Sequence, residues 1–367
     1  MKKFSIALFV LSIAIVYSTA CNNSSEKGNV KIEKASDSIA MLPIVDTNQI
    51  PNDSMGNMIR YGRALMLNTA YYIGPKGIVK TYLGNKMNCT NCHRDAGTKP
   101  FAFNLMKSHD QYPQYRAREG KVLSLAERVN NCVMRPHNGK PLPLDSREML
   151  AFLAYLKWIN GFTEKHKEYK GEKPLEIEFI DRKASSENGK ILYTQHCVRC
   201  HGANGEGQMQ FDDVTYVYPP LWGKEGYQPG SSMHRVIKQA QWLKANMPHD
   251  SATWQNPVLT DAEAFDIAAF VNDDAIHSRP NPKTLDYPNA VEKAIDYAFN
   301  GQFVLSFYDY LKVRGTKRIE VEEFIESATA HEISNLVMDL DDYLEGGNDE
   351  IHKQLREGYG HIPKPQA

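Results

Sequence analysis

The chain carries no excess of charge of either sign: 43 Lys and Arg face 44 Asp and Glu in 367 residues, a formal charge of −1. That balance removes the broad positive field with which nucleic-acid binders hold a phosphate backbone, so no nucleic-acid partner is expected. Long apolar runs are missing as well. Phe4–Tyr17, at about 14 residues, falls short of the ~20 that span a bilayer, and no other stretch approaches that length. Cysteine is scarce: there are six, at 21, 89, 92, 132, 197 and 200. Four of them fall in two C-x-x-C-H motifs, which excludes a disulfide framework as the organising principle. What remains, 42% hydrophobic and 24% charged residues, describes an ordinary globular protein rather than a disordered or fibrous one. The length suggests two domains with an appendage.

The short apolar run sits behind Lys2 and Lys3 and ahead of Ser18-Thr19-Ala20, the pattern of an export signal over residues 1–20. Cys21, directly after the small residues, resembles the lipobox cysteine of bacterial lipoproteins. Ser18 departs from that pattern, which prefers an aliphatic residue there. The resemblance implies a lipid anchor on Cys21 at the periplasmic side of a bacterial membrane; plain cleavage and release is the alternative. Residues 21–54 are expected to be a tether.

Two segments then repeat one grammar. Arg60-Tyr61-Gly62 precedes Cys89-Thr90-Asn91-Cys92-His93, and the segment closes at Asp145–Leu156; Glu187-Asn188-Gly189 precedes Cys197-Val198-Arg199-Cys200-His201, and the segment closes at Thr260–Val271. Each unit is expected to be an opening helix, the motif, a loop-rich middle and a closing amphipathic helix. Thr260 with Glu263, and Asp145 with Glu148, are the expected caps of the closing helices. The fold class is therefore all-α: two tandem domains of cytochrome c type, over 55–165 and 166–288, joined through the charged stretch 164–173. Residues 289–367 are read as a helical extension. Its segment 319–351 holds eleven Asp and Glu and no Lys or Arg, with Ile333, Leu336, Val337, Leu340 and Leu344 at helical spacing.

The chemistry of C-x-x-C-H gives every residue in it a role. The thiols form thioethers to a haem, the two intervening residues set their reach, and the adjacent His ligates iron. Two covalently attached haem c groups are thus expected, on Cys89, Cys92 and His93 and on Cys197, Cys200 and His201. A zinc site would want a second cysteine pair near each motif, and a redox dithiol a βαβ setting. For the second iron, Met247 in Asn246-Met247-Pro248 occupies the usual place of a distal thioether ligand, with Met233 and Met209 as rivals. The first unit has no Met–Pro. It has Cys132, 39 residues beyond His93, in a stretch (94–140) with nine Lys or Arg against four Asp or Glu. A lone cysteine is most often a small buried hydrophobe, but these surroundings suit an anionic ligand and favour thiolate over thiol.

Gly84–Cys89 through Asp95-Ala96-Gly97, Tyr115-Arg116-Ala117-Arg118, and Glu127-Arg128-Val129-Asn130-Asn131-Cys132 through Pro143 together resemble the bacterial dihaem thiosulfate dehydrogenases. Pro219–Gly223 and Asn246-Met247-Pro248 are similar too, so the likeness covers roughly 55–288. The resemblance implies a His/Cys first haem at which two thiosulfates are joined into tetrathionate, and a His/Met second haem that relays electrons to a periplasmic cytochrome or oxidase. It implies that Cys132 is ligand and reaction centre and that Arg118 and Arg128 hold the substrate anion. It also admits the reverse reaction. Asn246 stands where some members have Lys, and Pro136 where Ser is common. Two other expectations compete: an electron-transfer subunit with no substrate site, and a cytochrome that conjugates thiosulfate to a carrier protein. His109, His137 and His234 are read as surface or supporting residues rather than ligands.

Overall fold

A computed structural model describes residues 39–280, apart from Ala117, Phe179, Asp181 and Lys183. The leader, Cys21 and the acidic extension lie outside the described residues. The elements are α1 (Ser54–Leu67), β1 (Gln114–Arg116), β2 (Lys121–Leu123), α2 (Leu125–Met134), α3 (Arg147–Asn160), α4 (Ser186–His196), β3 (Gln208–Met209), β4 (Tyr216–Tyr218), α5 (Val236–Asn246) and α6 (Asp261–Val271), with several one-turn helices between them. The all-α expectation holds. Among the described residues the strands form two antiparallel hairpins, β1–β2 and β3–β4, in the middles expected to be loops.

The repeated grammar has a packing cause. In α1, Ile59, Gly62, Leu65 and Met66 face inward against α3, where Phe152, Tyr155 and Ile159 are buried. A Cβ on Gly62 would lie 2.0 Å from the Ala151 carbonyl oxygen, so only glycine lets these helices approach so closely. Gly189 repeats the device in the second module: its Cβ would lie 1.9 Å from the Asp266 oxygen, where α4 crosses α6. The buried Asp266 carboxylate then fastens that crossing, accepting from both Arg182 amino groups (2.8 and 2.7 Å), from Asn188 Nδ2 (2.7 Å) and from the Ser185 amide (2.8 Å).

The caps follow the expectation in one closing helix and correct it in the other. Thr260 and Glu263 form the reciprocal capping box of α6. In α3 the cap is Ser146, not Asp145: its hydroxyl accepts from the Met149 amide at 3.2 Å. Glu148 is thereby turned inward, where its carboxylate accepts from the Tyr61 hydroxyl at 3.0 Å.

From Ala40 onward the described residues form one compact unit. The charged stretch 164–173 is folded onto the first module: Lys170 exchanges backbone hydrogen bonds with Ala40 and Leu42, and Gly171 accepts from the Phe101 amide at 2.8 Å. The modules also share core, since Met87 of the first packs in the apolar cluster of the second with Trp242 and Phe265. No helix among the described residues is long and apolar enough to cross a membrane.

Candidate functional site

The first motif is moored to the short helix Thr69–Ile73. The Cys89 amide donates to Thr69 Oγ1 at 2.9 Å, and Asn88 Oδ1 accepts from the Ala70 amide at 2.9 Å. His93 then follows in a single turn, its amide donating to the Cys89 carbonyl. Its Nδ1 lies 2.6 Å from the Phe103 carbonyl, which fixes the proton on that nitrogen and leaves Nε2 with its lone pair. His201 does the same in the second motif, Nδ1 to the Pro219 carbonyl at 2.8 Å. Two imidazoles oriented by backbone carbonyls, each beside a pair of free thiols, fit covalent haem attachment with axial histidine.

Cys132 approaches the first site from α2. That helix begins in a capping box: Ser124 accepts from the Glu127 amide, and the Glu127 carboxylate accepts from the Ser124 amide at 2.8 Å. The Ser124 backbone hydrogen bond, with Lys121 beside it, holds the Glu127 carboxyl down at about 2. Arg128 and Cys132 are four residues apart and share a helix face. The Cys132 thiol faces the His93 ring as a hydrogen-bond partner. Burial pushes the thiol up, but Arg128, His93 and Arg135 more than offset this and bring it down to about 6. Cys89 and Cys92 are pushed up to about 12 by burial. Their neighbour Cys132 is the one drawn toward thiolate.

Two further residues complete the pocket. The Tyr112 hydroxyl is a partner of Arg128, and the Arg128 guanidinium is raised further above its ordinary range chiefly by the Cys132 thiolate. Glu119 binds Arg135 at 2.7 Å and accepts from Asn131 Nδ2 at 2.9 Å, tying the β1–β2 hairpin to α2. Sequence reasoning singled out neither Tyr112 nor Glu119. Glu119 reaches the site from the turn of that hairpin and Tyr112 from the end of the short helix Ser108–Gln111 just before it, and no spacing rule announces such contacts. Arg118 stands at the seam between modules, donating to the Gly230 carbonyl. His137 and His234, expected at the surface or in support, are both buried. His137 Nε2 is 3.8 Å from Cys89 Sγ, and its buried Nδ1 makes no hydrogen bond. His234 pairs with Asp274 at 3.0 Å.

The second site is a cavity of about 270 Å³ lined by Cys197, Cys200, His201, Met233 and Met247, with Cys92 of the first motif in its wall. Met247 ends α5 as its C-cap and faces this cavity; Met233 lines it too. Asn246 turns away, its amide donating to the carbonyls of Phe101 (3.1 Å) and Trp242 (3.0 Å). Trp242 Nε1 donates to the Cys92 carbonyl at 3.0 Å, so the two sites are in direct contact through the fold.

Comparison with known proteins agrees with this layout. The family described as "Cytochrome c" matches residues 186–273, and that described as "SoxA/TsdA, cytochrome c domain" matches 80–159. A thiosulfate dehydrogenase of Stutzerimonas stutzeri (strain A1501) is 34% identical over 245 residues, 66% of this chain and 74% of the relative. One from Psychrobacter arcticus is 34% identical over 68% of this chain and 72% of its own length. Among solved structures, a thiosulfate dehydrogenase (TsdBA) from Marichromatium purpuratum, in its as-isolated form, superposes with a TM-score of 0.57 at 29% identity over 65% of this chain. This chain spans 50% of the length of that one.

Proposed function

This chain belongs to the thiosulfate dehydrogenase family, and on that premise we propose that its Cys132 pocket joins two thiosulfate dianions into tetrathionate and that the two electrons leave through the second module. The chain carries two covalently attached haem c groups, one for each C-x-x-C-H motif. When bound, these supply the one-electron acceptors, a thiolate-ligated first iron lying lower in potential than a methionine-ligated second. The observation that carries the proposal is the Cys132 thiol, held against His93 and drawn to about 6 under Arg128 and Arg135.

The chemistry asked of these residues is first electrostatic. Two dianions ~5 Å apart at an effective dielectric of ~20 repel by roughly 13 kcal/mol. Covalent catalysis divides that problem. The Cys132 thiolate and one thiosulfate form a sulfur–sulfur bond with loss of two electrons, leaving a singly charged adduct. A second thiosulfate then attacks the adduct's outer sulfur, Cys132 departs as thiolate, and tetrathionate is released. The second dianion thus meets a monoanion, which roughly halves the repulsion. Arg128, with Arg118 at the seam, offsets the rest with planar, bidentate recognition of the sulfonate oxygens. Met247, which lines the same cavity as His201, would hold the second haem through its thioether and raise its potential. Read backwards with an electron donor, the same steps reduce tetrathionate.

The test is steady-state oxidation of thiosulfate by the purified holoprotein with ferricyanide, beside Cys132→Gly. Tetrathionate from the wild type alone, and none from the variant, is the expected result. No tetrathionate, with thiosulfate oxidised only when a carrier protein is added and ending on that carrier's cysteine, would favour the conjugating cytochrome. Full activity in Cys132→Gly would remove Cys132 from the reaction, and no thiosulfate oxidation by the wild type would favour a plain electron-transfer subunit. Export to the periplasm with a lipid on Cys21 accompanies the proposal, and incorporation of labelled fatty acid that persists in Cys21→Ser would sink that part.

A further inference from the structure

The last turn of α2 has its backbone carbonyls accounted for almost entirely by its own module. The Asn131 carbonyl accepts from the Arg135 amide, that of Cys132 from His137, and that of Val133 from Gly139. The fourth, on Met134, accepts from Gln228 Nε2, a residue of the second module. Helix ends leave four carbonyls to be satisfied, and a buried one needs a partner. Here a helix that carries Cys132 is capped in trans by the module that carries the other haem.

The capping loop is stiff on its own side. Gln228 is 1% exposed. Next to it, the Tyr227 hydroxyl donates to Asn272 Oδ1 at 2.9 Å and accepts from Gln239 Nε2 at 3.1 Å, and the Arg279 guanidinium lies 4.3 Å from its ring centroid. Tyr227 also lines the second cavity. The same loop grips the first module twice more: the Gly226 carbonyl accepts from Asn138 Nδ2 at 2.7 Å, just beyond α2, and the Gly230 carbonyl accepts from Arg118.

We infer that Gln228 is a positioning residue for the sulfur chemistry: the loop Gly226–Gly230 of the electron-relay module holds the C-terminal turn of α2, and with it Cys132, in register with His93. This rests on the reading of Cys132 as the first haem's distal ligand. The second module is then part of the substrate site as well as the exit for electrons. A displacement of Cys132 of the order of 1 Å is enough to cost a nucleophile on the order of tenfold to a hundredfold in rate.

Gln228→Met keeps the volume and removes the donor; Gln228→Asn keeps the donor on a stem too short to reach. In the holoprotein, both are expected to lower kcat for thiosulfate by roughly tenfold or more, with KM changed less. Both should also alter the oxidised-state spectrum of the first haem while leaving that of the second unchanged, and speed amide exchange in the last turn of Leu125–Met134. Wild-type kcat, first-haem spectrum and exchange in either folded variant, whatever its melting temperature, would overturn the inference. Cys132→Gly, measured in parallel, separates the two levels. If it leaves the first-haem spectrum unchanged, the ligand reading itself fails. If it changes that spectrum and the Gln228 variants do not, only the positioning role fails.

Discussion

Cys132 illustrates how a single residue acquires its chemistry from neighbours of opposite sign. Burial alone would push its thiol up, as it does for Cys89 and Cys92; three cationic or hydrogen-bonding partners reverse the direction. Arg128 is first among them, so Arg128→Gln should cut turnover by about a hundredfold or more, and Arg128→Lys should recover only part of it because a point charge cannot grip a sulfonate bidentately. Rates of tetrathionate formation across the three proteins decide this; equal rates for Lys and Arg would refute the bidentate argument. His277 offers a second residue-scale prediction. Its ring stacks on Trp222 at 3.8 Å, and burial, followed by Arg279, pushes it down to about 4 from 6.5. The unfolded chain therefore takes up a proton there at a pH where the folded one does not, so stability present above pH 6.5 is lost as pH falls toward about 4. Melting temperature followed over that window should fall less steeply in His277→Phe than in the wild type; parallel slopes would reject the assignment.

At the scale of elements, the two modules are built on the same helix crossing, and a glycine sits at each. Replacing Gly189 by Ala would place a methyl group 1.9 Å from the Asp266 carbonyl, against backbone that cannot give way. The expected cost is about 1–3 kcal/mol, read as a lowered denaturant midpoint. A neutral Gly189→Ala would show that α4 can slide on α6. Ser146→Ala should cost about 1 kcal/mol as a lost cap, and Asp145→Ala much less, because the structure hands the capping to the serine. Sequence pattern alone could not choose between them: both residues precede the same apolar run, and only the path of the backbone into α3 decides which side chain meets the free amides.

The described residues from Ala40 onward behave as one body because polar and apolar contacts cross between the modules together. Met87 enters the second core, Trp242 reaches the Cys92 carbonyl, Asn246 reaches that of Phe101, and Gln228 caps α2. Thermal unfolding of the holoprotein is therefore expected to be a single transition, seen at the same temperature by both haem absorptions and by calorimetry. Two resolved transitions would contradict the shared interface. The exposed pairs of Asp213 with Lys76 and Lys86 add little to that union, since water and salt screen them. Removing the buried Trp242 donor in Trp242→Phe should cost about 1 kcal/mol and move the common transition. The same Asp213 loop, cut to Asn, should barely shift it.

What the amino-acid order determined by itself is local: the two C-x-x-C-H motifs, the helical class, the glycine of each repeat, and a lone cysteine in a basic stretch. Each is a matter of spacing along the chain, which fixes reach and helix face without any knowledge of the fold. What only the tertiary structure decided is who stands beside whom across long separations. Tyr112 on Arg128, Glu119 on Arg135, and Gln228 on the helix of Cys132 are contacts between segments that no periodicity links. They are set by how a hairpin and a second module fold over α2, because a buried charge or carbonyl takes its partner from whichever segment the packed chain brings within reach.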